Sequence, residues 1–232
     1  MKNPVNLYGI LIALGGLLSC TQAPKSPDAS TSAPKAEAEA TAGSTFTVDT
    51  TASTIEWIGT KVSGYHSGTV KLKNGQLTVS NGTITAGNFT MDMPTIVATG
   101  PKSVNAESNG KLTGHLHSAD FFDVNKFPEA TFAITGVKPF SGTLNEPDNP
   151  REEQLSKYKV ANPTHTISGN LTIKGIEKNI EFPARITIND ATAEAQAKFN
   201  IDRKQWGLVY TGKPDDLIRD EIHLGIYLKA LK

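Results

Sequence analysis

From Thr45 onward, apolar and polar residues alternate with a period of two, the spacing that puts every second side chain of a β-strand on one face. Ile55, Trp57 and Gly59 share a face, as do Phe89, Met91 and Met93, and later Ile167, Leu171 and Ile173. The last three runs are the clearest: Ile180, Phe182, Ala184, Ile186 and Ile188; Ala191, Ala193, Ala195, Ala197, Phe199 and Ile201; Ile222, Leu224, Ile226 and Leu228. Polar residues between them put the other face in water, so antiparallel pairing is expected. Asn74-Gly75, Asn81-Gly82, Ser141-Gly142, Asn189-Asp190 and Pro214-Asp215-Asp216 read as turns, being residue types that tolerate tight-turn backbone angles. Two stretches break the period, residues 103–123 and 149–157. Asn149-Pro150 ahead of Glu152 and Glu153 fits a helix N-cap with proline at the first helical position, whereas Gly110 and Gly114 hold the longer stretch to short helical turns. Many strands with one apolar face each predict an all-β closed barrel or sandwich, with one or two short helices in its connecting loops.

The chain before the strands has a different character. Lys2 precedes an apolar run from Leu7 to Leu18, too short for a stable bilayer-spanning helix, which ends at Leu17-Leu18-Ser19-Cys20. This ending resembles a bacterial lipobox, although Leu18 is larger than many carry there. Residues 1–19 therefore read as a lipoprotein signal peptide, with Cys20, the chain's single cysteine, as the lipidated residue. Thr21 lacks the aspartate that resembles an inner-membrane retention signal, which points to an outer-membrane anchor facing the periplasm. From Thr21 to Gly43 nearly every residue is Thr, Ser, Ala, Pro, Lys, Asp or Glu, so residues 20–45 are expected to be the lipidated Cys and a disordered tether. As a flexible coil it would hold the domain roughly 25 to 30 Å from Cys20. Residues 46–232 then form one domain, large enough to fold without disulfides.

Charge and motifs narrow the function. Lys and Arg number 23 against 23 Asp and Glu, so no basic field is available for nucleic acid. The sequence has no Gly-x-Ser-x-Gly elbow, phosphate-cradling glycine loop or His-Glu-x-x-His, and no enzymatic role or cofactor is expected. Asp120, Asp123, Asp202 and Arg203 read as loop-pinning ion pairs and caps. His115 and His117 diverge if they lie on a helix, and His66, His165 and His223 are scattered, so a metal site built on His115 and His117 is a rival reading. For His66 and His115 the alternatives are a bond tying a loop to the barrel or a contact with a ligand head group.

Three segments carry a resemblance. They are His115-Leu116-His117-Ser118-Ala119-Asp120-Phe121-Phe122-Asp123-Val124 with Lys126-Phe127-Pro128 and Ala130-Thr131-Phe132; Ile167-Ser168-Gly169-Asn170-Leu171-Thr172-Ile173-Lys174-Gly175; and Asn200-Ile201-Asp202-Arg203-Lys204-Gln205-Trp206-Gly207. In this order they resemble the YceI-like family. Departures are Asn170, more often Asp in the family, Glu177, usually Thr, and an enlarged acidic loop over residues 144–161. The resemblance implies a lipocalin-like antiparallel barrel of about eight strands, holding a polyisoprenoid, an isoprenoid quinone or a similar long-chain amphiphile in its lumen. It would serve as a carrier, reservoir or stress-related sequestering protein. The alanine stripe at 191, 193, 195 and 197 fits, because alanine fills less of a small barrel than its neighbours; alternatively it lets a neighbouring element pack closely. Candidate ligand contacts are Trp57, His66, Phe89, Met91, His115, Phe121, Phe132, Ile134, Leu171, Ala195, Ala197 and Trp206. A membrane-tethered protein-interaction module is the alternative, and homodimerisation is left open.

Overall fold

A computed structural model describes residues 24–143 and 158–232. The signal peptide, Cys20, the helix expected over 149–157 and most of the acidic loop lie outside the described residues. The alternating runs become β1 (Ser30–Ser32), β2 (Ser44–Val48), β3 (Thr54–Lys61), β4 (Gly64–Ser80), β5 (Thr83–Gly100), β6 (Glu129–Pro139), β7 (His165–Ile173), β8 (Ile176–Ile188), β9 (Thr192–Asp202), β10 (Gly212–Lys213) and β11 (Asp216–Leu231). From β3 to β9 each strand pairs antiparallel with the next, and β11 pairs with both β9 and β3. This closes an antiparallel barrel of eight strand positions, because β2 continues the position of β3, pairing with the far end of β4 and with the last residues of β11. Closure pairs the two edges that an open sheet would leave exposed.

Most turn signals act as expected. Asn81 and Gly82 both take positive φ, 51° and 73°, and make the two-residue β4/β5 hairpin. Asn189 Oδ1 accepts from the amides of Ala191 and Thr192 between β8 and β9, and Pro214-Asp215 joins β10 to β11. Asn74-Gly75 is a correction: β4 runs straight through it, with a register shift between Leu72 and Asn74. Glycine is needed there for close approach, since a Cβ at Gly75 would lie 2.8 Å from both Phe89 Cδ1 and Val48 Cγ2. The stretch 103–123 also differs, forming one 12-residue helix, α1 (Ala106–His117), instead of short turns. Asn105 Oδ1 caps it by accepting from Ser108 N at 2.8 Å. Gly110 and Gly114 have open space around them, and Leu112 and Leu116 pack on the barrel, which offsets the low helix propensity of glycine.

The expected disordered tether does not hold for residues 24–38. β8 and β9 pair only between Ala184↔Ala197 and Ile188↔Ala193, then diverge toward the α1 end. The N-terminal segment enters that seam. Asn200 N donates to Pro27 O at 2.9 Å and Ala29 N to Asn200 O at 2.8 Å, while β1 pairs with Asn179–Glu181 of β8. The segment then runs outside the barrel, where Lys35 exchanges two hydrogen bonds with the side chain of Asn170 and Ala38 N donates to Ile134 O. Asn170, Asn179 and Asn200 are buried beneath it. Its polar composition conceals this role because the attachment is made through backbone groups, which every residue carries.

Candidate functional site: the barrel lumen

The inward-facing side chains enclose a cavity of about 460 Å³, within the roughly 300–1,000 Å³ range of small-molecule sites. One wall carries aromatic rings from four strands: Phe89 and Phe132 have centroids 6.2 Å apart, Phe132 and Phe182 5.9 Å, and Phe182 and Phe199 stack at 4.1 Å and 13°. The last pair faces across the seam between β8 and β9, where no ladder holds the strands. β11, the neighbour of β9 with Leu224 beside Phe199, adds an aliphatic stretch of Ile222, Leu224, Ile226 and Leu228. On β9 Ala197 lies opposite Ala184 of β8, two small residues that leave room in the lumen at mid-height. The stripe therefore divides: Ala195 and Ala197 line the cavity, Ala193 is buried at 1% exposure off the lining, and Ala191 sits in an exposed turn.

Eleven of the twelve sequence-predicted contacts line this cavity: Trp57, His66, Phe89, Met91, Phe121, Phe132, Ile134, Leu171, Ala195, Ala197 and Trp206. His115 does not. It lies on α1 outside the lining, where Nε2 meets Asp120 Oδ2 at 3.1 Å and its ring stands edge-on to Phe121 and Tyr210. His117 turns elsewhere, with Nε2 2.9 Å from Ile96 O. The two histidines diverge as helix geometry requires, and among the described residues no group of three or more His, Cys, Asp or Glu side chains converges. Phe182 and Phe199 were legible in the alternation but were not singled out. Tyr210, in the irregular segment after β9, carried no pattern that would reveal it.

The charged lining residues, Lys61, Arg203, Lys213 and Asp216, gather at one end with His66 and form its mouth. Lys61 Nζ meets Asp216 Oδ2 at 2.5 Å, and Ser63 donates to the same carboxylate through N and Oγ. These donors hold the Asp216 pKa down at about 2, so the pair stays charged yet mutually compensated. Arg203 is 2% exposed, and its guanidinium donates to the carbonyls of Leu208, Arg219 and Ile218 and, at 3.4 Å, to Asp220. It pins the segment after β9, and Asp202 caps the following 3₁₀ turn by accepting from Lys204 N at 2.9 Å. Both roles match the loop-pinning expectation. In that turn Trp206 is fully buried and donates from Nε1 to Leu171 O at 2.9 Å, tying the turn after β9 to β7 at this same end of the barrel. Gly207 follows at φ 70°, a conformation that ends the turn and favours glycine.

A YceI-like domain model matches residues 46–230. The chain belongs to the YceI-like family. Over 72 residues the chain is 35% identical to a UPF0312 protein of Enterobacter sp. (strain 638) and 33% identical to Protein YceI of Salmonella arizonae, each match taking in 31% of this chain and 27% of the relative's length. The fold is shared with two solved structures. BcnA of Burkholderia cenocepacia superposes with a TM-score of 0.58 at 21% identity, over 79% of this chain and 99% of that one. A polyisoprenoid binding domain from Saccharophagus degradans superposes with a TM-score of 0.55 at 12% identity, over 80% and 97%. The residues that carried the resemblance have structural reasons in this YceI-like barrel. A Cβ at Gly169 would lie 2.1 Å from Phe132 Cζ, so the glycine makes room for a lumen aromatic, and Arg203 and Trp206 tie the turn after β9 to β11 and β7.

Proposed function

We propose that this protein binds a long-chain amphiphile of the polyisoprenoid or isoprenoid-quinone type in its barrel lumen, and serves as a non-enzymatic carrier or reservoir. The observation that carries the reading is a cavity of about 460 Å³ whose lining, apart from its charged end, is apolar and includes the Phe182–Phe199 stack. Burial is worth about 0.8 kcal/mol per methylene, so ten methylenes supply about 8 kcal/mol before the cost of association. Val62, Tyr65, Val209 and Leu217 are exposed apolar residues on the segments around the mouth, a rim suited to taking a lipid from a membrane surface. Lipidation of Cys20 in the cell envelope, with the outer membrane as the site, belongs to the same proposal. Pro24 already contacts Asn200 and lies four positions after Cys20, so the anchor would hold the barrel within about 14 Å of the lipid instead of at the end of a long tether. Mass spectrometry of organic extracts from protein purified out of bacterial membranes, with metal analysis on the same sample, tests this reading. Near-stoichiometric isoprenoid or long-chain lipid is expected; an empty barrel with bound metal would return attention to the histidines, and an empty barrel without metal would favour an interaction module.

A further inference from the structure

Buried polar atoms without partners are rare in folded proteins, and each calls for an explanation. Trp57 Nε1, Thr60 Oγ1 and His66 Nδ1 have no hydrogen-bond partner among the described residues, and all three residues belong to the β3/β4 hairpin and line the lumen. Trp57 is only 8% exposed and Thr60 2%. The register brings them together: Trp57 lies opposite Gly68 and Gly59 opposite His66, so Trp57 and His66 are diagonal neighbours on the inward face. The glycines make the space. A Cβ at Gly68 would lie 2.6 Å from Trp57 Cζ2, so the indole lies over the bare backbone, and Gly59, opposite His66, presents no side chain on the inward face.

Resting on the lumen reading above, we propose that Trp57 and His66 form a head-group subsite that selects an amphiphile ending in an uncharged oxygen acceptor over one ending in a phosphate. The indole N–H donates to the oxygen. His66 Nδ1 accepts the proton of a hydroxyl in one tautomer and donates to a carbonyl in the other, so both heads satisfy the pair. Burial, with Lys61 nearby, lowers the His66 pKa and keeps the imidazole neutral. A phosphate finds no matching cation here. Lys61 is engaged by Asp216, whose own carboxylate repels an anion; Arg203 is spent on backbone carbonyls; and Lys213 is exposed at the rim, where water screens it.

The test compares heads on one chain length, using the full protein and four C20 probes: geranylgeraniol, menaquinone-4, geranylgeranyl diphosphate and the headless hydrocarbon phytane. The wild type is expected to bind the alcohol and the quinone at least about tenfold more tightly than the hydrocarbon or the diphosphate, and the ratio of alcohol to quinone reports whether hydroxyl or carbonyl is preferred. Trp57→Phe and His66→Leu should each weaken the two favoured probes about tenfold and leave phytane within about twofold. If Trp57→Phe fails to unfold cooperatively, His66→Leu carries the same comparison. Equal losses on all probes would overturn the subsite, as would tightest binding of the diphosphate with its loss in Lys213→Ala. Failure of every probe to bind would overturn the lumen reading and the subsite together, whereas chain binding indifferent to the head would remove the subsite alone.

Discussion

Filling the lumen at mid-height separates chain binding from folding. Ala197 is 4% exposed and sits between Ala184 of β8 and Ile226 of β11. Leucine at this position projects three more carbons into the space a bound chain would use. Each methylene displaced from burial forfeits about 0.8 kcal/mol, so three forfeit about 2.4 kcal/mol, an affinity loss of about fiftyfold. The same carbons add apolar burial to the empty barrel, so the unliganded Ala197→Leu protein should be no less stable than the wild type. Titration with geranylgeraniol, beside urea unfolding of the empty protein, reads both quantities. Ala195→Leu should behave in the same way, being opposite Ile186 and Leu228 on the same lining. Ala193→Leu is the contrast: Ala193 lies off the cavity between Ile188 and Ala230, so leucine there overpacks, costing about 1–3 kcal/mol of stability without changing affinity. Unchanged affinity in folded Ala195→Leu and Ala197→Leu would refute the assignment of this stripe to the ligand slot.

Three further perturbations have defined outcomes. His223 is buried beneath Tyr158 and bonded to Asn200, and burial holds its pKa at about 4 against 6.5 for a free imidazole. The unfolded chain therefore binds the extra proton between these values, so stability is full above about pH 6.5 and falls by on the order of 3 kcal/mol toward pH 4; unfolding midpoints across that window should flatten in His223→Gln. Gly169→Ala should cost about 1–3 kcal/mol in urea unfolding and weaken chain binding, because its Cβ would drive the Phe132 ring into the lumen. Arg203→Lys should cost about 3 kcal/mol, since an ammonium cannot serve the three carbonyls that the guanidinium fork reaches, and a shift of the urea midpoint at constant slope would show it.

The barrel interior was legible because alternation records which side of a strand each residue faces. Ile222, Leu224, Ile226 and Leu228 line the cavity for the reason that made them visible, as do Phe89 and Met91. His115 was misplaced because its motif ends a helix lying against the barrel, and helical periodicity turns the imidazole away from the lumen toward Asp120. Asn74-Gly75 has the chemistry of a turn, but the bare backbone was required by Phe89 on the adjacent strand, a contact that local sequence does not encode. Residues 24–38 were hidden most deeply. Their side chains have little to bury, and what recruits them is the unpaired backbone of β8 and β9, a demand set some 150 residues later. The proposed head-group subsite was partly visible: Trp57 and His66 were both candidate contacts, but their adjacency and the unpartnered Trp57 N–H emerge only when the strands are brought into register.

The wedge between β8 and β9 also bears on how the molecule is made. Its partners are separated by as much as 176 positions, from Pro24 to Asn200, which places seam closure among the slowest events of folding. Residues 24–38 leave the ribosome long before the strands that receive them, and until they dock those strands offer open edges to any extended chain. The segment best matched to such an edge belongs to another copy of the same protein. Exchange of this segment is the natural route to a swapped dimer, so protein concentration during refolding should set the balance between barrels sealed by their own N-terminal segment and barrels sealed by a neighbour's.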